Sequence, residues 1–96
     1  MANICDNTFY AYSKNRKNIE VIINFFRNWF YSEIDDSNTS IDVYFQSKWV
    51  FPEERMINLY ESIPDKSDIY MRCLSTEYGL MYHALWECDE FGWKEC

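Results

Sequence analysis

The sequence predicts an α+β fold: a two-layer sandwich in which two helices cover one face of a four-stranded mixed sheet, in the order βαβαββ. Residues 41–46 alternate strictly, with Ile41, Val43 and Phe45 on one side and Asp42, Tyr44 and Gln46 on the other. That is the period-2 mark of a half-buried strand. Ile19, Ile22, Ile23, Phe26, Trp29 and Phe30 instead recur at helical spacing, and so do Met56, Leu59, Tyr60 and Ile63. Each helix therefore carries a single apolar stripe, and both stripes must be buried on the same face of the sheet.

The chain opens with a short strand over residues 8–12, Phe9 and Ala11 facing one way and Tyr10 and Tyr12 the other. Ser13 or Asn15 caps the first helix, since either side chain can accept a hydrogen bond from a free backbone N–H. Lys14, Arg16 and Lys17 stand in its first turn, the unfavourable sign for the helix dipole, at about 0.3–1 kcal/mol each if exposed. They read as a solvated helix end or as a small basic contact point. Residues 32–40, SEIDDSNTS, read as an acidic loop, too short and polar for a convincing extra strand, and whether a fifth strand forms before Ile41 is left open. The central strand follows, with Trp49 at the joint to the second helix. Pro52 opens that helix, because its fixed φ suits a first turn and its missing N–H would be unpaired there anyway. Pro64 closes it. A strand, a helix and a neighbouring parallel strand cross over with a right hand, which makes the sheet mixed.

Beyond a turn at residues 65–67, Ile69, Met71 and Cys73 alternate with Tyr70, Arg72 and Leu74 as a third strand. Residues 76–79 turn the chain, with Gly79 able to take the positive φ of a hairpin. Residues 80–88 return as a fourth strand whose alternation is ambiguous. Residues 87–96 form an acidic tail with Phe91 and Trp93 embedded.

Ninety-six residues, 48% of them hydrophobic and 20% aromatic, make one domain (residues 1–96) with a real core. The net charge of −7 and pI near 4.5 argue against a nucleic-acid or anionic-membrane binder, which needs a basic footprint. No run approaches the roughly 18 apolar residues of a membrane span. The opening MANICDNTFY lacks the basic and apolar blocks of a signal peptide, so a cytoplasmic protein is expected. Cys5, Cys73, Cys88 and Cys96 show neither a CxxC pair nor zinc spacing, so no metal or other cofactor is expected. Cys73 reads as a small buried hydrophobe.

Enzymatic chemistry finds little support. Gly79 and Gly92 are the chain's two glycines, too few for a phosphate-cradling loop. His83 is the single histidine; with Cys73 or Cys88 it would make a nucleophile–base pair by residue type only. Glu53 and Glu54 are explained by the helix dipole at the second helix's start.

The open face of the sheet is more informative. If Phe9, Val43, Phe45, Ile69 and Met71 face the helices, then Tyr10, Tyr12, Tyr44, Tyr70 and Arg72 emerge on the other side, with Tyr82 and Trp86 as further candidates. Tyrosine is a good strand former with a polar tip, which explains the pattern without function. Tyrosine and arginine are also enriched at protein-binding hot spots. Glu33, Asp35 and Asp36 in the loop, with Glu87, Asp89, Glu90 and Glu95 in the tail, would steer such a face toward a partner with a basic surface. Alternatively, exposed aromatics on a sheet stack single-stranded bases; the net charge and the lack of any RNP-type motif weigh against this. A homodimer closed over the tyrosine face is a third reading.

The chain also resembles the YubB-type ferredoxin-like domain family of small phage- and plasmid-encoded proteins. The opening Ala2-Asn3-Ile4-Cys5-Asp6-Asn7 is similar to that family's A-N-x-C-x-N start. Phe45-Gln46-Ser47-Lys48-Trp49-Val50-Phe51-Pro52 resembles its strand, tryptophan and helix-opening proline. Ile63-Pro64 and the Glu77-Tyr78-Gly79 turn fall in the expected order, so the resemblance spans nearly the whole chain. It implies a ferredoxin-like variant and a mobile-element origin. The family has no settled enzymatic activity, so the resemblance implies no catalytic residues. For a small acidic protein of that origin, the natural role is inhibition of a host defence protein by occupying its nucleic-acid groove, as an anti-CRISPR protein does.

Overall fold

The computed structural model describes residues 4–48, 50–79 and 81–96. Along the chain run β1 (Ile4–Tyr12), α1 (Arg16–Trp29), β2 (Ser32–Asp36), β3 (Ser40–Lys48), α2 (Glu53–Ser62), β4 (Tyr70–Glu77), β5 (Tyr82–Asp89) and β6 (Gly92–Glu95). The strands form one six-stranded sheet in the order β2-β3-β1-β4-β5-β6, and every pairing is antiparallel. The expectations placed on Trp49, Leu80, Ala2 and Asn3 lie outside the described residues.

The four-stranded mixed sheet in the order βαβαββ is therefore corrected to six antiparallel strands in the order βαββαβββ. The acidic loop at 32–40 is a hairpin: β2 turns through Asn38 and Thr39 into β3, and the Ser37 N–H donates to the Ser40 carbonyl at 2.8 Å. An edge strand needs one partner and little apolar surface, so Ile34, half-buried against the core, suffices to seat it. This hairpin inserts β3 beside β1, which removes the expected parallel crossover. The tail supplies the sixth strand, because Trp93 is held down by an indole N–H donated to the Met56 carbonyl at 2.7 Å.

Both helices cover one face. On α1, Ile19, Ile22, Ile23, Phe25 and Phe26 are buried, and Phe26 meets Phe9 and Phe45 at centroid distances of 4.8 and 5.0 Å. Asn15 is its N-cap, accepting from the Lys17 N–H at 3.0 Å, so Lys14 precedes the helix. Trp29, expected in the stripe, is 54% exposed and lies under the Arg55 guanidinium at 3.8 Å. Pro52 is the N-cap of α2, which buries Met56 and Leu59, with Ile63 buried just beyond. Among the described residues of the β4–β5 turn, the left-handed one is Met81 (φ 57°), where Gly79 was expected to supply the positive φ.

Candidate functional site

The register decides which side chains share the uncovered face. Cross-strand partners point the same way, and Phe9, Val43 and Cys73 are buried under the helices. One row across the other face therefore reads Asp35, Asp42, Tyr10, Arg72, Glu87, Lys94. The next reads Glu33, Tyr44, Thr8, Leu74, Leu85. Asp6 and Gln46 pair in a third row with Thr76 and His83, and Tyr12 and Tyr70 pair at the opposite end.

Of the residues the sequence singled out, Tyr10, Tyr12, Tyr44, Tyr70 and Arg72 share this face. Tyr82 and Trp86 do not. Tyr82 pairs with buried Glu77 and Trp86 with buried Cys73, both on the helix side. Trp86 stacks on Phe51 at 4.6 Å. The ambiguous alternation of β5 hid this, because Leu85 is the apolar residue on the open side and Trp86 the one beneath α2. Leu74 and Leu85, opposite each other and 48% and 36% exposed, form an apolar centre that the tyrosine pattern overlooked.

The acidic residues separate into two groups. Glu33 and Asp35 lie on β2 with side chains on the open face, whereas Asp36 faces the helix side and meets Arg16 at 3.5 Å. Glu87 and Asp89 lie on β5, and Glu90 is at the following turn, where its carbonyl accepts the Tyr60 hydroxyl at 2.6 Å. Four strand spacings, roughly 19 Å, separate β2 from β5. The tyrosines stand between the two groups.

The open face is internally bonded. The Tyr44 hydroxyl donates to Asp6 Oδ1 at 2.7 Å, and Gln46 Nε2 donates to the same oxygen at 3.0 Å. These bonds favour the charged carboxylate and hold Asp6 below the usual aspartate range. The Asp6 bond in turn pushes the Tyr44 phenol up. Glu87 accepts from the Cys96 thiol at 2.9 Å and the Tyr70 hydroxyl at 2.9 Å, which lowers its pKa. Desolvation, then the Glu87 bond, raises that of Tyr70. The Arg72 guanidinium lies over the Tyr10 ring at 4.7 Å. Tyr10, Tyr44 and Tyr70 thus each have a carboxylate beside them: Asp42 across the strand from Tyr10, Asp6 at Tyr44 and Glu87 at Tyr70.

Beside Tyr44 the face is concave. A groove of about 260 Å³ runs between β2 and β1, with Glu33, Asp35, Asp42 and Tyr44 among its walls and Thr8, Ile34 and Val43 also lining it. A second, of about 170 Å³, continues past Tyr44 to the fully exposed Tyr31. Asp35 and Asp42 lie directly opposite in the ladder, a like-charge pairing that costs stability unless a cation comes near. Among the described residues the salt bridge near this edge is Arg16–Asp36, on the other side of β2.

The structure separates the groups a nucleophilic mechanism would need. His83 lies on the open face, whereas Cys73 and Cys88 are buried on the helix side, their thiols pushed up to about 12 by desolvation. All four cysteines are free thiols. No cluster of His, Cys, Asp and Glu suited to a metal ion occurs among the described residues, and no described helix is long and apolar enough to cross a membrane. No family model, no curated protein and no solved structure matches this chain.

Proposed function

We propose that this chain is a protein-interaction module that lays its open sheet face on a basic, nucleic-acid-binding surface of a host protein. The observation that carries the reading is the composition of that face. Asp6, Glu33, Asp35, Asp42, Glu87 and Asp89 outnumber Lys48, Arg72 and Lys94 around a tyrosine and leucine centre. Tyrosine and arginine are hot-spot residue types, and the acid excess around them matches a partner of the opposite sign, which gains in on-rate and orientation. Joined to the resemblance to small mobile-element proteins, this favours an inhibitor acting in the host cytosol. A defence nuclease such as a CRISPR effector is the fitting target, its guide or DNA channel supplying the basic surface.

Base stacking by the same tyrosines is the competing reading, favoured by the exposed rings of Tyr12 and Tyr44. The carboxylates beside Tyr10, Tyr44 and Tyr70 stand where a bound strand would bring its phosphates, which weighs against it. The test is capture of host proteins on the tagged wild-type chain and on an Asp42→Lys, Glu87→Lys variant, each with and without nuclease. Retention of one protein near one-to-one, insensitive to nuclease and lost with the charge reversals, is the expected result. Material that disappears with nuclease would refute the proposal in favour of base stacking.

A further inference from the structure

The acidic edge of the sheet carries an inference that rests on the interaction reading above and deepens it. β2 ends the sheet, and no described element pairs with its outer side. Antiparallel ladders alternate bonded and non-bonded pairs. The Ser37–Ser40 bond at the turn sets the phase, so Asp35 and Glu33 bond inward to β3. Ile34 and Asp36 therefore turn their N–H and C=O groups outward, as a template for another strand.

The side chains along this edge decide what can use it. Toward the open face stand Glu33 and Asp35, with Asp42 one strand behind, and no described cation bridges them. Toward the helix side, Asp36 is balanced by Arg16, and the concavity of about 290 Å³ there also holds Glu20 and Arg27. One side of the edge is therefore acidic and the other charge-balanced. A second copy of this chain pairing there would set Glu33 and Asp35 against the same carboxylates, a destabilising arrangement. The opposite edge, β6, is shorter and carries both signs in Lys94 and Glu95.

We infer that β2 accepts an extended segment of the basic partner as a seventh strand, with lysine or arginine at alternate positions facing Glu33 and Asp35 and uncharged residues between them. Main-chain bonds to Ile34 and Asp36 supply affinity, and the alternation supplies register. The groove beside Tyr44 receives the outermost basic side chain, whose aliphatic stem lies against Thr8 and the Tyr44 ring and whose head meets Asp42.

Three designs of synthetic peptide, the third made in two forms, test this by isotope-edited NMR and titration at low and moderate salt. One alternates arginine with threonine, the second has the same composition with its arginines in one block, and the third is the alternating peptide N-methylated at every second residue, in both phases. The alternating peptide is expected to bind about tenfold more tightly than the N-methylated phase that loses its inward N–H groups, the worth of one or two main-chain bonds, and more tightly than the block peptide, whose arginines cannot all stand on the side of Glu33 and Asp35. Bound, it slows hydrogen exchange at Ile34 and Asp36, and a Glu33→Gln, Asp35→Asn variant removes its preference over the block peptide. Equal binding of all the peptides, with no new protection at Ile34 or Asp36, would overturn strand addition while leaving an acidic docking face. Failure of every peptide to bind at low salt would overturn the acidic-face reading as well.

Discussion

Replacing Asn7 by leucine tests the least ordinary part of the core. Asn7 is fully buried on the helix side of β1. Its amide donates to Ser47 Oγ at 2.9 Å and to the Cys5 carbonyl at 3.3 Å, and its carbonyl accepts the Ser75 hydroxyl at 2.6 Å. The thiols of Cys5 and Cys73 both lie 3.8 Å from that same oxygen. Leucine keeps the branched skeleton, with methyls bulkier than the amide, but leaves the fully buried Ser75 hydroxyl only the Cys73 thiol at 3.8 Å, at about 1–3 kcal/mol. Ser47 is half-buried and bonds the Val50 carbonyl, so it adds at most about 1 kcal/mol. Asn7→Leu should therefore cost about 1–4 kcal/mol, and each kcal/mol lowers Tm by about 4–8 °C in a domain of this size. Adding Ser75→Ala removes the stranded hydroxyl, so the double variant should recover roughly 1–2 kcal/mol relative to the sum of the single costs. Urea titration of the wild type, both single variants and the double supplies all the terms. Asn7→Leu as stable as the wild type, or strict additivity in the cycle, would refute the claim that this buried network is bonded as one unit.

Thiol labelling of the native chain should modify Cys96 rapidly and leave Cys5, Cys73 and Cys88 protected until denaturant is added, because those three are buried and burial raises their pKa values. Glu87→Gln should speed the Cys96 reaction, since the Glu87 carboxylate is what raises that thiol. Gly92→Ala should cost about 1–3 kcal/mol by thermal unfolding. The position has φ +102°, while the added methyl would meet the Tyr60 ring at an ordinary 3.9 Å, so backbone strain and not crowding sets the cost. The Asp6 carboxyl, held below its ordinary 3.8, contributes stability that is present above that value and lost as pH falls through the lowered folded value. The advantage of the wild type over Asp6→Asn in urea midpoint should accordingly be full at neutral pH and shrink below about pH 4; a gap that persists unchanged to pH 2 would contradict it.

Much of the local structure was legible because local structure is what periodicity encodes. The stripe Ile19, Ile22, Ile23, Phe26 and the run Met56, Leu59, Ile63 are buried beneath two helices on one face. The alternation of residues 41–46 placed Tyr44 opposite Val43 and Phe45. Residues 32–36 gave no such signal, since an edge strand leaves most of its side chains in water and its hydrogen bonds come from β3, not from its own composition. Trp86 and Leu85 could not be told apart for a related reason: both neighbours are apolar, and only the pairing of β5 with β4 decides which one meets Phe51.

The period of each segment, the two amphipathic helices and the acid excess follow from the amino-acid order, because these depend on composition and on residues close together in the chain. Tertiary structure alone decided the number of strands, their antiparallel order and the parting of the acidic residues into a β2 edge and a β5 group. Those depend on which distant backbone groups hydrogen-bond to one another. A one-residue change in that register would move every one of these carboxylates to the other face.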